Sequence, residues 1–278
     1  MIVTNVFAGF GNQLFMYACG YSVSRRLGTQ LLIDASYIAN DTSRKYELCH
    51  LKIKYDKYFG VERFSWYWLR VIIRKFRHAL MSFRHSSFRE NKAFEFNANI
   101  LNVNNNTRLF GYWQNERYFI DYRQELLEMF VPNYELSQSC LQLIEEIHSY
   151  NSISVHIRRG DYVKIGICLG MEYYEKAIAY IKGKVDNPVF YVFSDDKEYA
   201  DDLFKKMDCE YKIVEYEPVN SSIDDIFVMK ECKHNIVANS SYSWWGAWLN
   251  NNKYKIVVCP YNNETERTGF YPPEWVKI

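Results

Sequence analysis

A chain of 278 residues with 48% apolar content is long enough for two compact domains with substantial cores, which excludes a disordered chain. Aromatic residues make up 18%, including 24 Tyr and 7 Trp, side chains that stack on sugars and bases as well as filling cores. A net charge of +1 excludes the strongly basic field of a nucleic-acid binder, so no nucleic acid is expected as a partner.

The opening MIVTNVFAGFGNQ has no basic stretch ahead of an apolar one, so no secretion signal is read there. Residues 1–7 read as a strand, AGFGNQ as a glycine turn, and 13–27 as a helix with Leu14, Ala18, Tyr21 and Leu27 on one stripe. Gly28 is the expected stop, and TQLLID the next strand, so the chain opens as a βαβ unit. Residues 63–89 carry Arg63, Arg70, Arg74, Lys75, Arg77, Arg84 and Arg89 among many aromatics, with no acidic residue. Such a segment reads either as a helical insert with arginines in water and rings inward, or as a peripheral contact with an anionic membrane.

RLFGYWQN is strand-like and is expected to run into a helix over 116–130. A further helix is expected over 136–150, with Leu141, Ile144 and Ile147 on its inner face, and the domain boundary falls there: 1–135 and 136–278. Beyond it, SISVHI, PVFYVFS, EYKIVEY, HNIVAN and YKIVVCP read as strands alternating with helices. That rhythm predicts an α/β fold whose C-terminal domain is a regular parallel sheet with right-handed crossovers. The seven cysteines are scattered and form no C-x-x-C, which is neither a zinc pattern nor a disulfide framework. No window reaches the apolar length of a membrane span, and a cytoplasmic location is expected, with the basic segment as a peripheral anchor at the inner face of the membrane.

Ligands of open parallel α/β sheets sit beyond the carboxyl ends of the strands. Those ends carry His156, Arg158, Arg159 and Asp161, then Ser194, Asp195 and Asp196, then Asn239, Ser240, Ser241 and Tyr242. Arginine presents a planar fork of donors to phosphate oxygens, and serines opening a helix offer free amides to an anion. A carboxylate at Asp195 can accept from the N1–H and exocyclic amine of guanine; Asp195 or Asp196 also reads as a helix cap and Ser240 as a helix start. The acidic pair 195–196 could take a divalent metal, but Arg158 already supplies phosphate neutralisation, so no metal is expected. In FAGFGNQLF, Gly9 and Gly11 allow close backbone approach. The run is not a complete G-x-G-x-x-G, so no dinucleotide cofactor is expected.

GFGNQLF, GYWQNERYF, HIRRGDYV, FSDD and NSSYSWWGAWL, in this order over residues 9–249, resemble the bacterial α1,2-fucosyltransferases of glycosyltransferase family 11. The resemblance implies a GT-B-like fold, two Rossmann-like domains facing a central cleft. It implies inverting transfer of L-fucose from GDP-β-L-fucose (GDP-L-fucose) to the 2-OH of a terminal galactose. The acceptor would be an oligosaccharide or lipid-linked glycan in surface polysaccharide or O-antigen biosynthesis, with no cofactor and no required metal. Carried over by motif, Arg158 grips the β-phosphate, His156 and Asp195 contact guanine, and Ser241 and Tyr242 line the phosphate region. Arg159, Asn239 and Ser240 complete the donor-binding set, and Gly11 and Asn12 approach the diphosphate from the other domain. Asp161 is a candidate base and equally a loop-capping carboxylate; Glu116 is a second candidate. Tyr112 and Trp113 are candidates to stack on galactose, though a buried Trp is as common. Rival readings are a GT-B transferase of another nucleotide sugar and a non-catalytic nucleotide- or glycan-binding protein.

Overall fold

Two parallel sheets, each in its own compact unit, organise the chain. The structure is a computed structural model that describes residues 1–38, 44–59, 72, 75, 86–221, 223–261 and 269–278. The first unit comprises Met1–Asn133 with Arg267–Phe270, and the second Tyr134–Glu266 with Tyr271–Ile278. The basic aromatic segment expected at 63–89 lies outside the described residues except for Ile72, Lys75 and residues 86–89, which form a strand.

In the first unit, β1 (Ile2–Asn5), β2 (Leu31–Asp34), β3 (Lys57–Phe59), β4 (Ser86–Arg89) and β5 (Thr107–Phe110) make one sheet in the order β3-β2-β1-β5-β4. All of its pairings are parallel. Helix α1 (Phe10–Arg26) starts three residues earlier than the glycine turn predicts. It is buried nearly all round from Phe10 to Ser24 rather than along one stripe. That burial follows from its closeness to β1: a Cβ at Gly20 would lie 2.6 Å from the Thr4 side chain, whose hydroxyl donates to the Met16 carbonyl at 2.9 Å. Only glycine lets the helix settle that deeply.

The helix expected over 116–130 is broken. Two 3-10 turns, Glu116–Tyr118 and Ile120–Tyr122, precede a short α2 (Arg123–Met129). Asn115 caps the first turn by accepting from the Arg117 amide, and Phe119 leaves helical geometry at φ −147°. Phe119 is buried, its ring 5.9 Å from that of Phe15, so tertiary packing overrides the local periodicity.

In the second unit, α3 (Gln138–Ser149) is capped by Ser137. It buries Cys140 and Ile147, while Leu141, expected on the inner face, is 42% exposed. Then follow β6 (Asn151–Ile157), α4 (Gly160–Ile165), α5 (Met171–Lys182), β7 (Pro188–Ser194), α6 (Lys197–Phe204) and β8 (Glu210–Ile213). The unit ends with α7 (Asp224–Met229), β9 (His234–Ile236), α8 (Ser241–Leu249), β10 (Val257–Cys259) and β11 (Val276–Lys277). The sheet is parallel, in the order β11-β10-β9-β6-β7-β8, one strand more than the five expected. Both faces are covered, which explains the uninterrupted apolar run of β7. Phe190 and Val192 join one core with α5 and α6, whereas Val189, Tyr191 and Phe193 join another with α3 and α7.

Candidate active site

The register of β6 against β7 assembles the charged cluster. Ile157 pairs with Ser194, so the next residues of each strand, Arg158 and Asp195, emerge side by side at the carboxyl edge. Arg158 Nη1 lies 2.7 Å from Asp195 Oδ2. Its Nε and Nη2 donate to Asp161 Oδ1 at 3.1 and 2.7 Å. Asp161 stands in the first turn of α4, the short helix that replaces the turn expected at Gly160-Asp161. The Arg159 amide donates to Asp195 Oδ1 at 2.8 Å, so one carboxylate holds the guanidinium of one residue and the backbone of the next. Gly160 makes this possible: a Cβ there would sit 2.6 Å from Asp195 Oδ2.

A guanidinium has five N–H donors. Three contacts tie Arg158 to its two carboxylates, which leaves two N–H groups on a side chain that is 26% exposed. The cluster thus aims a cation while keeping part of its hydrogen-bonding capacity. Arg159 is held separately, stacked 3.7 Å over the Tyr199 ring and 3.5 Å from Asp196. Asp196, not Asp195, caps α6, accepting from the Tyr199 amide at 3.1 Å.

Alternation along β6 sends Ile153, Val155 and Ile157 to one core and Ser152, Ser154 and His156 to the opposite face. His156 is 5% exposed and its Nδ1 has no hydrogen-bond partner. Burial first, and then the Arg158 charge, push its pKa down to about 3, so the imidazole is neutral at neutral pH. Its ring lies 5.7 Å from that of Tyr242. Ser240 caps α8 by accepting from the Tyr242 amide at 3.2 Å, and Ser241 is the half-buried first residue of that helix. The Asn239 amide donates to the Ile167 carbonyl, and its own carbonyl accepts from Tyr162. Arg158 lies 5.7 Å from the centre of the Tyr162 ring. Tyr162 and Tyr199 were not anticipated. Tyr162 could have been found as the fourth residue after Arg158, but Tyr199 reaches Arg159 from α6, a separate element, and leaves no local signal.

The remaining predicted residues belong to the first unit. Gly11 is buried as the second residue of α1. Asn12 Oδ1 accepts from Gln114 Nε2 at 2.7 Å, tying the start of α1 to the 112–116 segment. Tyr112 is 39% exposed, and Glu116 is half-buried at the head of its 3-10 turn. Trp113 corrects the expectation of a galactose-stacking ring. It is fully buried, stacked 6.0 Å from Phe88 and set edge-on to Tyr118, so neither face is open to a sugar.

Among the described residues, no group of three or more His, Cys, Asp or Glu side chains is placed to hold a metal ion. Among them, too, no helix is long and apolar enough to cross a membrane.

Known proteins are similar to this chain over nearly its whole length. The "O-antigen biosynthesis glycosyltransferase WbnK" of Escherichia coli is 35% identical over 280 residues, covering 91% of each chain. An "alpha-1,2-colitosyltransferase", also of Escherichia coli, is 35% identical over 299 residues, covering 100% of this chain and 99% of its own. A variant of Arabidopsis thaliana FUT1 solved with GDP shares the fold at a TM-score of 0.53 and 10% identity, over 96% of this chain and 72% of that one. The profile of Glycosyl transferase family 11 matches residues 4–278, and with it this chain belongs to that family of glycosyltransferases.

Proposed function

We propose that the protein is an inverting, metal-independent α1,2-fucosyltransferase that moves L-fucose from GDP-β-L-fucose to the 2-OH of a terminal galactose in O-antigen or related surface-polysaccharide synthesis. The observation that carries this reading is Arg158, held by Asp161 and Asp195 at the edge of the parallel sheet with two N–H groups in reserve. Breaking the sugar–phosphate bond leaves negative charge on the departing GDP while the sugar becomes oxocarbenium-like. A donor fixed in advance at that charge lowers the barrier, and loss of one such donor commonly costs ~10²–10³ in rate. A guanidinium can meet this need without a divalent ion.

In this reading the acceptor 2-OH attacks C1 from the face opposite the diphosphate, the C1–O bond to phosphate breaks with its electron pair leaving on GDP, and the hydroxyl proton passes late to water. Asp161 aims the guanidinium, its Oδ1 accepting two Arg158 N–H groups. His156 lies beneath the cluster, its ring beside Tyr242, and the motif likeness assigns it to the nucleobase side of the donor. Asp195 and the Ser240–Tyr242 helix start complete the donor subsite.

A second reading is favoured by the likeness to the α1,2-colitosyltransferase: the donor would be GDP-colitose, which lacks the 3-hydroxyl of fucose. GDP should raise the unfolding temperature where UDP does not. Turnover of both GDP sugars on galactose-terminated glycans, with the new linkage located by NMR, then decides the donor. A protein that ignores GDP, or forms a linkage other than α1,2, overturns the proposal.

A further inference from the structure

We infer that Phe7, Tyr37 and Tyr112 form an aromatic platform at the carboxyl edge of the first unit's sheet that stacks on the apolar face of the acceptor sugar. The inference rests on the galactoside-transfer reading above and adds a location for the acceptor.

Each ring is delivered by a different strand end. Phe7 lies just beyond β1, Tyr37 beyond β2 and Tyr112 beyond β5, and these three strands are neighbours in the sheet. Phe7 is the central ring, 5.1 Å edge-on to Tyr112 and 6.4 Å edge-on to Tyr37. Tyr37 and Tyr112 are 37% and 39% exposed, and Phe7 is half-buried between them. Three rings that only filled a core would not stand this open at the edge where ligands of parallel sheets bind.

The backbone is held out of its ordinary range to present them. Ala8, directly after Phe7, has φ 61°, and Trp113, directly after Tyr112, has φ 58°. Left-handed conformations cost non-glycine residues free energy and persist only where surrounding structure imposes them. Here the restraints are two side chains, Gln13 buried and Glu90 half-buried. Gln13 Nε2 donates to the Ala8 carbonyl at 2.9 Å while its Oε1 accepts from the Glu47 amide. Glu90 accepts from the Tyr112 and Trp113 amides at 2.7 and 3.1 Å, and burial raises its pKa. Two independent clamps thus hold the two turns on which platform rings sit.

The chemistry of such a surface fits a galactoside. The axial C–H bonds at positions 1, 3 and 5 of β-galactose, with C4–H, point from one face of the ring, which can lie on aromatic carbon while the hydroxyls stay in water. The phenol oxygens of Tyr37 and Tyr112 give the platform a polar rim.

The test measures acceptor KM, kcat and GDP affinity for Tyr112→Ala, Tyr37→Ala and Tyr112→Phe with the acceptor that wild type uses. The alanine variants should raise acceptor KM ~10-fold, the loss expected of one aromatic contact, with GDP affinity unchanged. Tyr112→Phe, which keeps the ring, should remain close to wild type. Saturation-transfer NMR on wild type should mark H3, H4 and H5 of galactose most strongly, a readout that requires no variant to fold. Unchanged acceptor KM in both alanine variants, or uniform saturation around the sugar, overturns the platform. A wild type that binds no GDP and transfers no sugar overturns the functional reading instead.

Discussion

In each sheet an arginine pairs with a carboxylate at or just beyond the carboxyl end of a strand, Asp34 of β2 in the first and Asp195 after β7 in the second, yet the two pairs are used in opposite ways. In the first unit Arg108 and Asp34 are 5% and 3% exposed, paired with one another, and Arg108 also donates through Nε and Nη2 to Asn5 Oδ1 at 3.1 and 2.7 Å. Asn5 in turn donates to the Leu109 carbonyl, so the ion pair is stitched into the adjoining strands β1, β2 and β5. In the second unit the Arg158 side chain is 26% exposed, its carboxylate partners Asp161 and Asp195 45% and 28%. A sealed pair with its hydrogen bonds satisfied serves the architecture, and a half-open one can exchange partners with an incoming anion. The lesson is that residue type at a strand end does not separate structure from chemistry; solvent access does.

Removing one charge from each pair should therefore break different things. Asp34→Ala leaves a buried guanidinium without its counter-ion and should cost ~3–5 kcal/mol of stability, read by urea unfolding. A loss under ~1 kcal/mol, the value of an exposed pair, would show that the two edges do not differ as described. Arg158→Ala should do the reverse, with unfolding nearly unchanged and transfer reduced by ~10²–10³. Near-normal turnover in a folded Arg158→Ala protein would remove the mechanism.

A pH-dependent effect sharpens the comparison at the residue two before Arg158. His156 is held neutral down to about pH 3 by burial and by Arg158, whereas in the unfolded chain it titrates near ~6.5. Above that pH both states leave it neutral and it adds no slope. As pH falls toward 3 the unfolded chain gains a proton that the folded one refuses, so stability declines across that window. His156→Gln should flatten this part of the wild-type stability curve. An identical slope in the two proteins would mean that the imidazole is not held neutral in the fold.

Much of the second unit was legible because its signals are local. PVFYVFS coincides with β7 from Pro188 to Ser194, since a strand buried on both faces needs an unbroken apolar run. HIRRGD reads as a candidate site because charges directly after a strand have few other places to go. The first unit was harder. Trp113 reads equally as a sugar platform or a core ring, because neither its left-handed φ nor the Phe88 ring beside it is visible in YWQN. Phe7 and Tyr37 drew no notice, because each is an ordinary aromatic until the sheet order brings it beside Tyr112.

The sequence by itself determined the α/β rhythm, the family motifs and the arginines placed directly after β6, because periodicity and strand-end composition are properties of neighbouring residues. The tertiary structure alone decided that Asp195 shares Arg158 with Asp161, that Gly160 must lack a side chain, and that Trp113 is core while Tyr112 is open. Those facts depend on register and on packing between segments tens of residues apart, distances over which the order of residues carries no geometric information.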